Sequence, residues 1–305
     1  MYSNRRRRFV TTVLKWYVRN GRRLPWRNIS NPYQILVSEI MLQQTQVSRV
    51  LAKYPEFLHR FPTIRRLAAA RQRDVVVAWQ GMGYNNRAVR LHVLAQTVVK
   101  TNGGRIPNEY HALRSLPGIG RYTANAILSS AFGKRVPVVD VNVRRVLSRV
   151  FRPMRSLSDM RTEAQIWDLA AAVLPRRRAY IWNQGLMDLG ATICTSRSPS
   201  CPVCPAAGLC LSRRSLRKTN VQRVKNEPSH SGLPNRVYRG RIIEELRKGN
   251  GKTRMRLDSL GRRVLKEFSR RDANWLRNLV LGLERDGLVK LSGNGSPKTQ
   301  HVSLA

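Results

Sequence analysis

Apolar residues recur along the first two thirds of the chain at three- and four-residue spacing, the period of helices with one buried stripe. Phe9, Val10, Val13, Leu14 and Tyr17 mark a helix over 5–20, which Leu24-Pro-Trp-Arg27 ends. Pro32 opens a second, with Ile35, Leu36, Ile40, Met41 and Val47 as its stripe. Further helices are predicted over 49–61, 63–70, 74–79 and 87–100, the last stopped by Asn102-Gly-Gly104. Residues 108–115 lead into a turn at Leu116, and helices follow at 121–131, about 141–151, 159–173 and 179–190. No strand-like alternation of useful length precedes residue 210, so this part reads as all-α. Residues 213–235 read as a basic linker. From Arg236 the pattern becomes helix, helix, helix, hairpin: 238–246, 257–268, 275–283, then Gly287–Gly295 and His301–Leu304. That order is the signature of a small winged-helix-like α+β domain, with its basic third helix as a groove reader.

Charge changes the picture. The 305 residues hold 57 Lys and Arg against 17 Asp and Glu, a formal net charge of +40. Such an excess repels itself unless a polyanion is the partner, and nucleic acid is the leading one. No apolar run reaches the ~18 residues of a membrane span, and no signal-peptide core follows the basic start. An intracellular protein is expected, in cytoplasm or nucleoid if prokaryotic. The scarcity of acids makes each one informative. Three lie inside apolar runs: Glu39, Asp140 and Asp188. A carboxylate in such surroundings is costly and its pKa rises, so these are the first candidates for chemistry. Asp140 also stands where the N-cap of the helix from Val141 would fall, and one residue can do both. In Leu116-Pro-Gly-Ile-Gly-Arg121, Gly118 and Gly120 are expected to take backbone angles closed to other residues. They would leave N–H groups open at a helix start, a phosphate site to which Arg121 adds charge.

All four cysteines, Cys194, Cys201, Cys204 and Cys210, fall in one C-x6-C-x2-C-x5-C stretch. This is a local site and no disulfide framework. Zinc and an iron–sulfur cluster are both chemically possible. The single C-x2-C knuckle and the absence of a nearby His favour a 4Fe–4S cluster.

Taken together, the glycine turn, Asp140 and the cysteine signature resemble the helix-hairpin-helix DNA glycosylases of the endonuclease III superfamily. Ser38-Glu-Ile-Met-Leu-Gln-Gln-Thr-Gln-Val47, Leu24-Pro-Trp-Arg27, Gly81-Met-Gly-Tyr84 and Asn183-Gln-Gly-Leu-Met-Asp-Leu-Gly190 are similar to its MutY-type adenine glycosylases. The resemblance covers about residues 9–212. It implies a helix-hairpin-helix glycosylase domain over 1–212 with an iron–sulfur cluster loop; the winged-helix-like segment 236–305 is read from the pattern alone. It implies a monomer acting on double-stranded DNA that contains a mismatch or an oxidised base, with the target nucleotide flipped out of the stack. Glu39 would protonate the leaving adenine, and Asp140 would face the developing sugar cation. Trp26, Arg27, Leu42 and Asp188 would line the base pocket. Gln44 and Tyr84 would wedge into the stack and around the opposite base, with Gln43 and Asn142 beside these groups. Where strand-nicking members carry a lysine, this chain has Tyr122. A phenol has no amine for a Schiff base, which implies a monofunctional enzyme.

Three positions depart from the MutY pattern. Val141 replaces a usual glycine, Asn85 replaces a second tyrosine, and 211–305 lacks the length and strands of the Nudix-like domain that reads 8-oxoguanine. Thymine or uracil glycosylases acting on T/G or U/G mismatches are the alternative reading. A non-catalytic DNA-binding regulator is a third, of another class. The segment 211–305 carries 23 basic and eight acidic residues. It is expected to add duplex affinity without reading the lesion, with Arg271 and Arg277 as its leading contacts.

Overall fold

A computed structural model describes residues 2–153, 162–215, 227–293 and 299–305. In chain order its helices begin with α1 (Tyr2–Asn20), α2 (Pro32–Leu42), α3 (Val47–Arg60), α4 (Ile64–Ala69), α5 (Gln72–Ala78) and α6 (Asn86–Asn102). Then come α7 (Tyr110–Arg114), α8 (Arg121–Ala131), α9 (Val141–Phe151), α10 (Glu163–Ala172) and α11 (Ala179–Asp188), which runs on as a π-helical turn over Leu189–Ile193. The C-terminal part holds β1 (Ser229–His230), β2 (Leu233–Pro234), α12 (Asn235–Arg247), β3 (Arg254–Arg256), α13 (Leu257–Val264), α14 (Ala273–Arg285), β4 (Val289–Ser292) and β5 (His301–Leu304). The helical stripes therefore mark real elements, and among the described residues no strand precedes Ser229. Several starts follow from local chemistry. Thr63 accepts the Arg66 N–H at the head of α4. Thr162 and Gln165 close a capping box on α10. Asp140 caps α9.

The chain clusters into two compact units, each discontinuous in sequence. The first comprises residues 1–36, 108–115 and 119–223. Its core is the inward stripe of α1 against α9, α10 and α11. Phe9 is fully buried and meets Phe151 and Trp182 edge-on, both at 5.4 Å between ring centroids. Burying a side chain of that size contributes about 1.5–3 kcal/mol. Ala206 belongs to this core, and Cys194, Cys204 and Cys210 lie against it, so the cysteine loop is packed onto the unit.

The second unit comprises residues 37–107, 116–118 and 224–305. Phe57 and Trp79 meet edge-on at 5.7 Å where α3 approaches the end of α5. The C-terminal residues form three helices and an antiparallel sheet of order β3-β5-β4, with Met255 opposite Val302 and Leu291 opposite the same residue. The sequence reading missed β3, whose three residues are too short for a visible alternation. Val76 and Val89 belong to the same apolar core as Tyr238, Ile242 and Val280. The segment is thus built onto α5 and α6 within this unit. Most of the expected linker, 216–226, lies outside the described residues. Its end differs from the expectation: β1 and β2 form a hairpin across Ser231 and Gly232, both at positive φ. Turns of that kind match the twist of paired strands.

Candidate active site

Asp140 ends an apolar run and opens α9. Its Oδ1 accepts the Val143 N–H at 2.7 Å, and its Oδ2 accepts the Asn142 side-chain amide at 2.8 Å. Burial raises its pKa above the ordinary carboxylate range, and those two hydrogen bonds pull the other way. Asn142 in turn accepts from Arg145 at 2.8 Å, and Arg145 donates to the carbonyls of Gly190 and Cys194, each at 2.7 Å. A Cβ on Gly190 would come within 2.6 Å of the Asn142 Cβ, so only glycine lets the π-helical turn approach α9 this closely. The carboxylate is held in one orientation by a chain that ends at the cysteine loop. Cap and candidate catalyst are the same residue here. Val141 beside it is 73% exposed.

Glu39 sits between Ser38 and Ile40 on α2, with its Oε2 buried. At the end of that helix the chain passes Leu42 and Gln43 into Gln44, whose φ is 54°. The turn after α5 brings Tyr84 out with φ 42° and 52% of its surface exposed. Non-glycine residues in that region cost of order 1–3 kcal/mol and persist where the surroundings over-determine them. The determinant is Arg87, a residue the sequence reading did not single out. It is 5% exposed. Its Nη1 donates to the carbonyls of Ile40, Met41 and Gln43 at 2.9, 2.8 and 2.6 Å. Its Nη2 donates to the Thr45 hydroxyl at 2.8 Å and to the Met82 and Gly83 carbonyls, both at 3.1 Å. One guanidinium thus caps the C-terminal end of α2 and ties both turns together. Burial lowers its pKa to about 10, which leaves it charged at neutral pH.

The structure alters the role expected of Asp188. Its carboxylate is 0% exposed and is occupied by Arg22 and Arg27. Oδ1 accepts from the Arg22 Nε at 2.7 Å and the Arg27 Nη2 at 2.8 Å. Oδ2 accepts from the Arg22 backbone N–H at 2.9 Å and the Arg27 Nη1 at 2.8 Å. These bonds hold Asp188 well below the usual carboxylate range despite burial. The pair Arg27–Asp188 braces the 21–28 segment, including buried Trp26, against α11 and offers no open lone pair to a base. Sequence position could not distinguish this from a pocket wall, because both readings need an acid in an apolar run.

In the helix-hairpin-helix turn, Gly118 has φ +80°, as expected. Gly120 does not: its φ is −83°, open to any residue. It is the N-cap of α8 and supplies no side-chain cap, which leaves the first N–H groups of that helix without one. Arg121 lies over the Trp167 ring at 4.0 Å, held by a cation–π contact. Tyr122 is half-buried, its hydroxyl 3.9 Å from the Met187 sulfur.

All four cysteines line one cavity, with Val146, Leu189 and Ile193 in its wall. Among the described residues no three His, Cys, Asp or Glu converge as a single metal ion requires. Four cysteine sulfurs lining one cavity are a donor set that fits an iron–sulfur cluster. Burial pushes the Cys204 thiol up to about 11. Arg149 braces the loop by donating to the Thr195 and Ser196 carbonyls at 2.7 and 3.0 Å and to the Cys194 sulfur at 3.4 Å.

A desolvated, capped carboxylate after a glycine turn, on a helical scaffold with a cysteine loop, is the arrangement that the resemblance to the helix-hairpin-helix DNA glycosylases implies. Residues 37–172 match the HhH-GPD superfamily of base excision DNA repair proteins. The chain is 36% identical over 287 residues to an adenine DNA glycosylase of Mycobacterium tuberculosis (strain CDC 1551 / Oshkosh), covering 93% of this chain and 94% of that one. It is 38% identical to that of Mycolicibacterium smegmatis, covering 93% and 96%. Human adenine DNA glycosylase is 39% identical over 74% of this chain and 42% of its own length. Among solved structures, a thermostable thymine-DNA glycosylase matches with TM-score 0.65 and 32% identity, over 70% of this chain and 98% of that one. The chain belongs to the adenine DNA glycosylase family.

Proposed function

We propose that this protein removes adenine mispaired with guanine or 8-oxoguanine in duplex DNA by hydrolysing the N-glycosidic bond. The observation that carries the reading is Asp140, a desolvated carboxylate aimed by Val143 and Asn142, in a chain that matches adenine DNA glycosylases along nearly its whole length. Bond breaking leaves positive charge on the sugar and negative charge on the base. Asp140 stabilises the first electrostatically, and Glu39 protonates the second. Tyr122 brings no amine, so the product is an intact strand with an abasic site. The open N–H groups at the start of α8 take a backbone phosphate, and Gln44 and Tyr84 fill the gap left by the flipped nucleotide. Cys194, Cys201, Cys204 and Cys210 hold a 4Fe–4S cluster, which cross-links the loop that Arg145 and Arg149 tie to α9. The protein works as a monomer on duplex DNA. No helix among the described residues is long and apolar enough to cross a membrane.

The test is a panel of duplexes with A·8-oxoG, A·G, T·G and U·G pairs, treated with the protein and then with or without alkali. Breaks at adenine that need alkali are the expected result. The 32% identity to a thymine-DNA glycosylase supports a second reading, in which the T·G duplex is cut instead. Duplex binding without excision of any base would favour a regulator.

A further inference from the structure

In the C-terminal part of the second unit, α12, β3, α13, α14, β4 and β5 follow in that order, and β3 pairs with β5. α13 and α14 are consecutive helices joined by a short turn, an arrangement that carries the second helix outward to enter a groove of DNA. Local packing holds the turn. A Cβ at Gly261 would meet the Phe268 ring at 2.5 Å, so glycine lets the turn close over α13. Ser269 and Asp272 form a capping box directly ahead of α14. The β1–β2 hairpin holds the same end. Its His230 stacks on Trp275 at 3.9 Å between ring centroids, and the His230 Nε2 lies 2.8 Å from the Asp272 Oδ1.

α14 has two faces. Leu276, Leu279, Val280 and Leu283 are buried in the core. Asn274, Arg277, Asn278 and Arg285 are exposed, and their spacing puts them on one side of the helix. Among the described residues no side-chain hydrogen bond or ion pair engages these four. The acids nearest in sequence are occupied: Glu284 accepts the Leu291 N–H at 2.8 Å, and Asp286 is paired with Arg239. The face is therefore positive and complements a polyanion. Its asparagines narrow the partner further. Asparagine is a weak helix former, and two of them one turn apart cost α14 stability that no contact in the fold offsets. An asparagine amide matches the N6/N7 edge of adenine in the major groove, whereas arginines beside it reach phosphates.

We propose that α14 enters the major groove of undamaged duplex DNA and reads sequence there, with Asn274 and Asn278 on adenine edges and Arg277 and Arg285 on the flanking phosphates. This is a contact made by sequence and not by lesion, so it does not depend on which base the protein excises. The experiment selects duplexes from an undamaged pool with a randomised segment, using the full chain as wild type and as the double variant Asn274→Ala/Asn278→Ala. Alanine is the better helix former, so a melting temperature no lower than that of the wild type certifies the fold. The wild type enriches duplexes that share adenines at fixed positions and binds them at least roughly ten-fold tighter than a scrambled duplex of the same composition. The double variant binds the two within two-fold, and Arg277→Gln weakens both by the same factor. No enrichment by the wild type, or a preference that survives in the double variant, overturns the assignment.

Discussion

Replacing Arg87 by Met keeps much of the side chain's bulk and removes every donor. Six acceptors lie within 3.1 Å of its two terminal nitrogens, five of them backbone carbonyls. A hydrogen bond to a charged group is worth about 1.5–3 kcal/mol net. Six of them would rival the ~5–15 kcal/mol that stabilises a whole domain, so the desolvation of the guanidinium must offset most of the sum. The better guide is what the substitution leaves behind, buried carbonyls without a donor at about 1–3 kcal/mol each, and with the desolvation of the guanidinium removed a net loss of about 3–5 kcal/mol is expected. Lysine is a second probe. It keeps the charge and loses the planar fork, and should recover less than half of the loss. Urea unfolding gives the global term. Amide hydrogen exchange at 43–45 and 82–84 gives the local one, and those amides should lose protection first, because Arg87 donates to carbonyls of both turns. Adenine excision should fall with them. A loss below about 1 kcal/mol with unchanged exchange in both turns would refute the assignment of Arg87 as their brace.

Asp140→Asn should cut excision at least ~100-fold and leave duplex binding nearly intact, because asparagine is also a good N-cap. Since the folded pKa of Asp140 is raised, the ionised carboxylate costs stability at neutral pH. The Asn variant should therefore melt higher there, and the gain should vanish as pH falls through that pKa, the same window in which wild-type excision declines. Asp188→Asn leaves two arginines without their carboxylate and should cost about 3–5 kcal/mol. Because the folded pKa of Asp188 is depressed, that loss should be full above the unfolded carboxylate value and shrink in acid denaturation as pH falls through the folded one. Purified protein should be brown and contain iron, and Cys204→Ser should lower the iron content; stoichiometric zinc without iron would refute the cluster. Arg271→Gln and Arg277→Gln should weaken binding to matched and mismatched duplexes alike and reduce the salt slope by about 1 each. These substitutions are cleaner than deleting 213–305, which would uncover Val76 and Val89.

How much of this was legible in the sequence depended on whether one residue's surroundings are local. The stripe of α1 and the cap of α9 are local, and both stand where the pattern puts them. Asp140 was legible twice over, because an acid that follows Val136, Val138 and Val139 can be seen to cap a helix and to sit in apolar company. Asp188 was legible only as buried, since its partners Arg22 and Arg27 lie more than 160 residues away. Gly120 was read as a conformational necessity, and its ordinary φ shows that two glycines in a turn need not serve one purpose. Arg87 was missed for a physical reason: in a chain with 57 Lys and Arg, nothing local separates a buried guanidinium from a solvated one. Its neighbours held the available signal. It follows Gly81-Met-Gly-Tyr84, whose carbonyls need donors, and precedes Ala88, Val89 and Leu91, which turn the helix inward.

That distinction changes what a net charge of +40 means. Arg27, Arg87, Arg145, Arg149 and Arg247 are all buried. Four of these guanidiniums donate to backbone carbonyls outside regular structure: Arg87 to the turns after α2 and α5, Arg145 and Arg149 to the cysteine loop, and Arg27 to the Arg22 carbonyl. Arg247 donates to the carbonyl of Val76 on α5. Carbonyls left by irregular chain need donors as surely as those of a helix end. A planar fork with five N–H groups answers several at once, where a lysine ammonium would leave most unmet. The arginines of this protein therefore divide between two tasks. The exposed ones face a polyanion, and the buried ones make rigid the loops that bring chemistry to it. Composition alone counts both as electrostatic attraction, and only the first group should respond to salt.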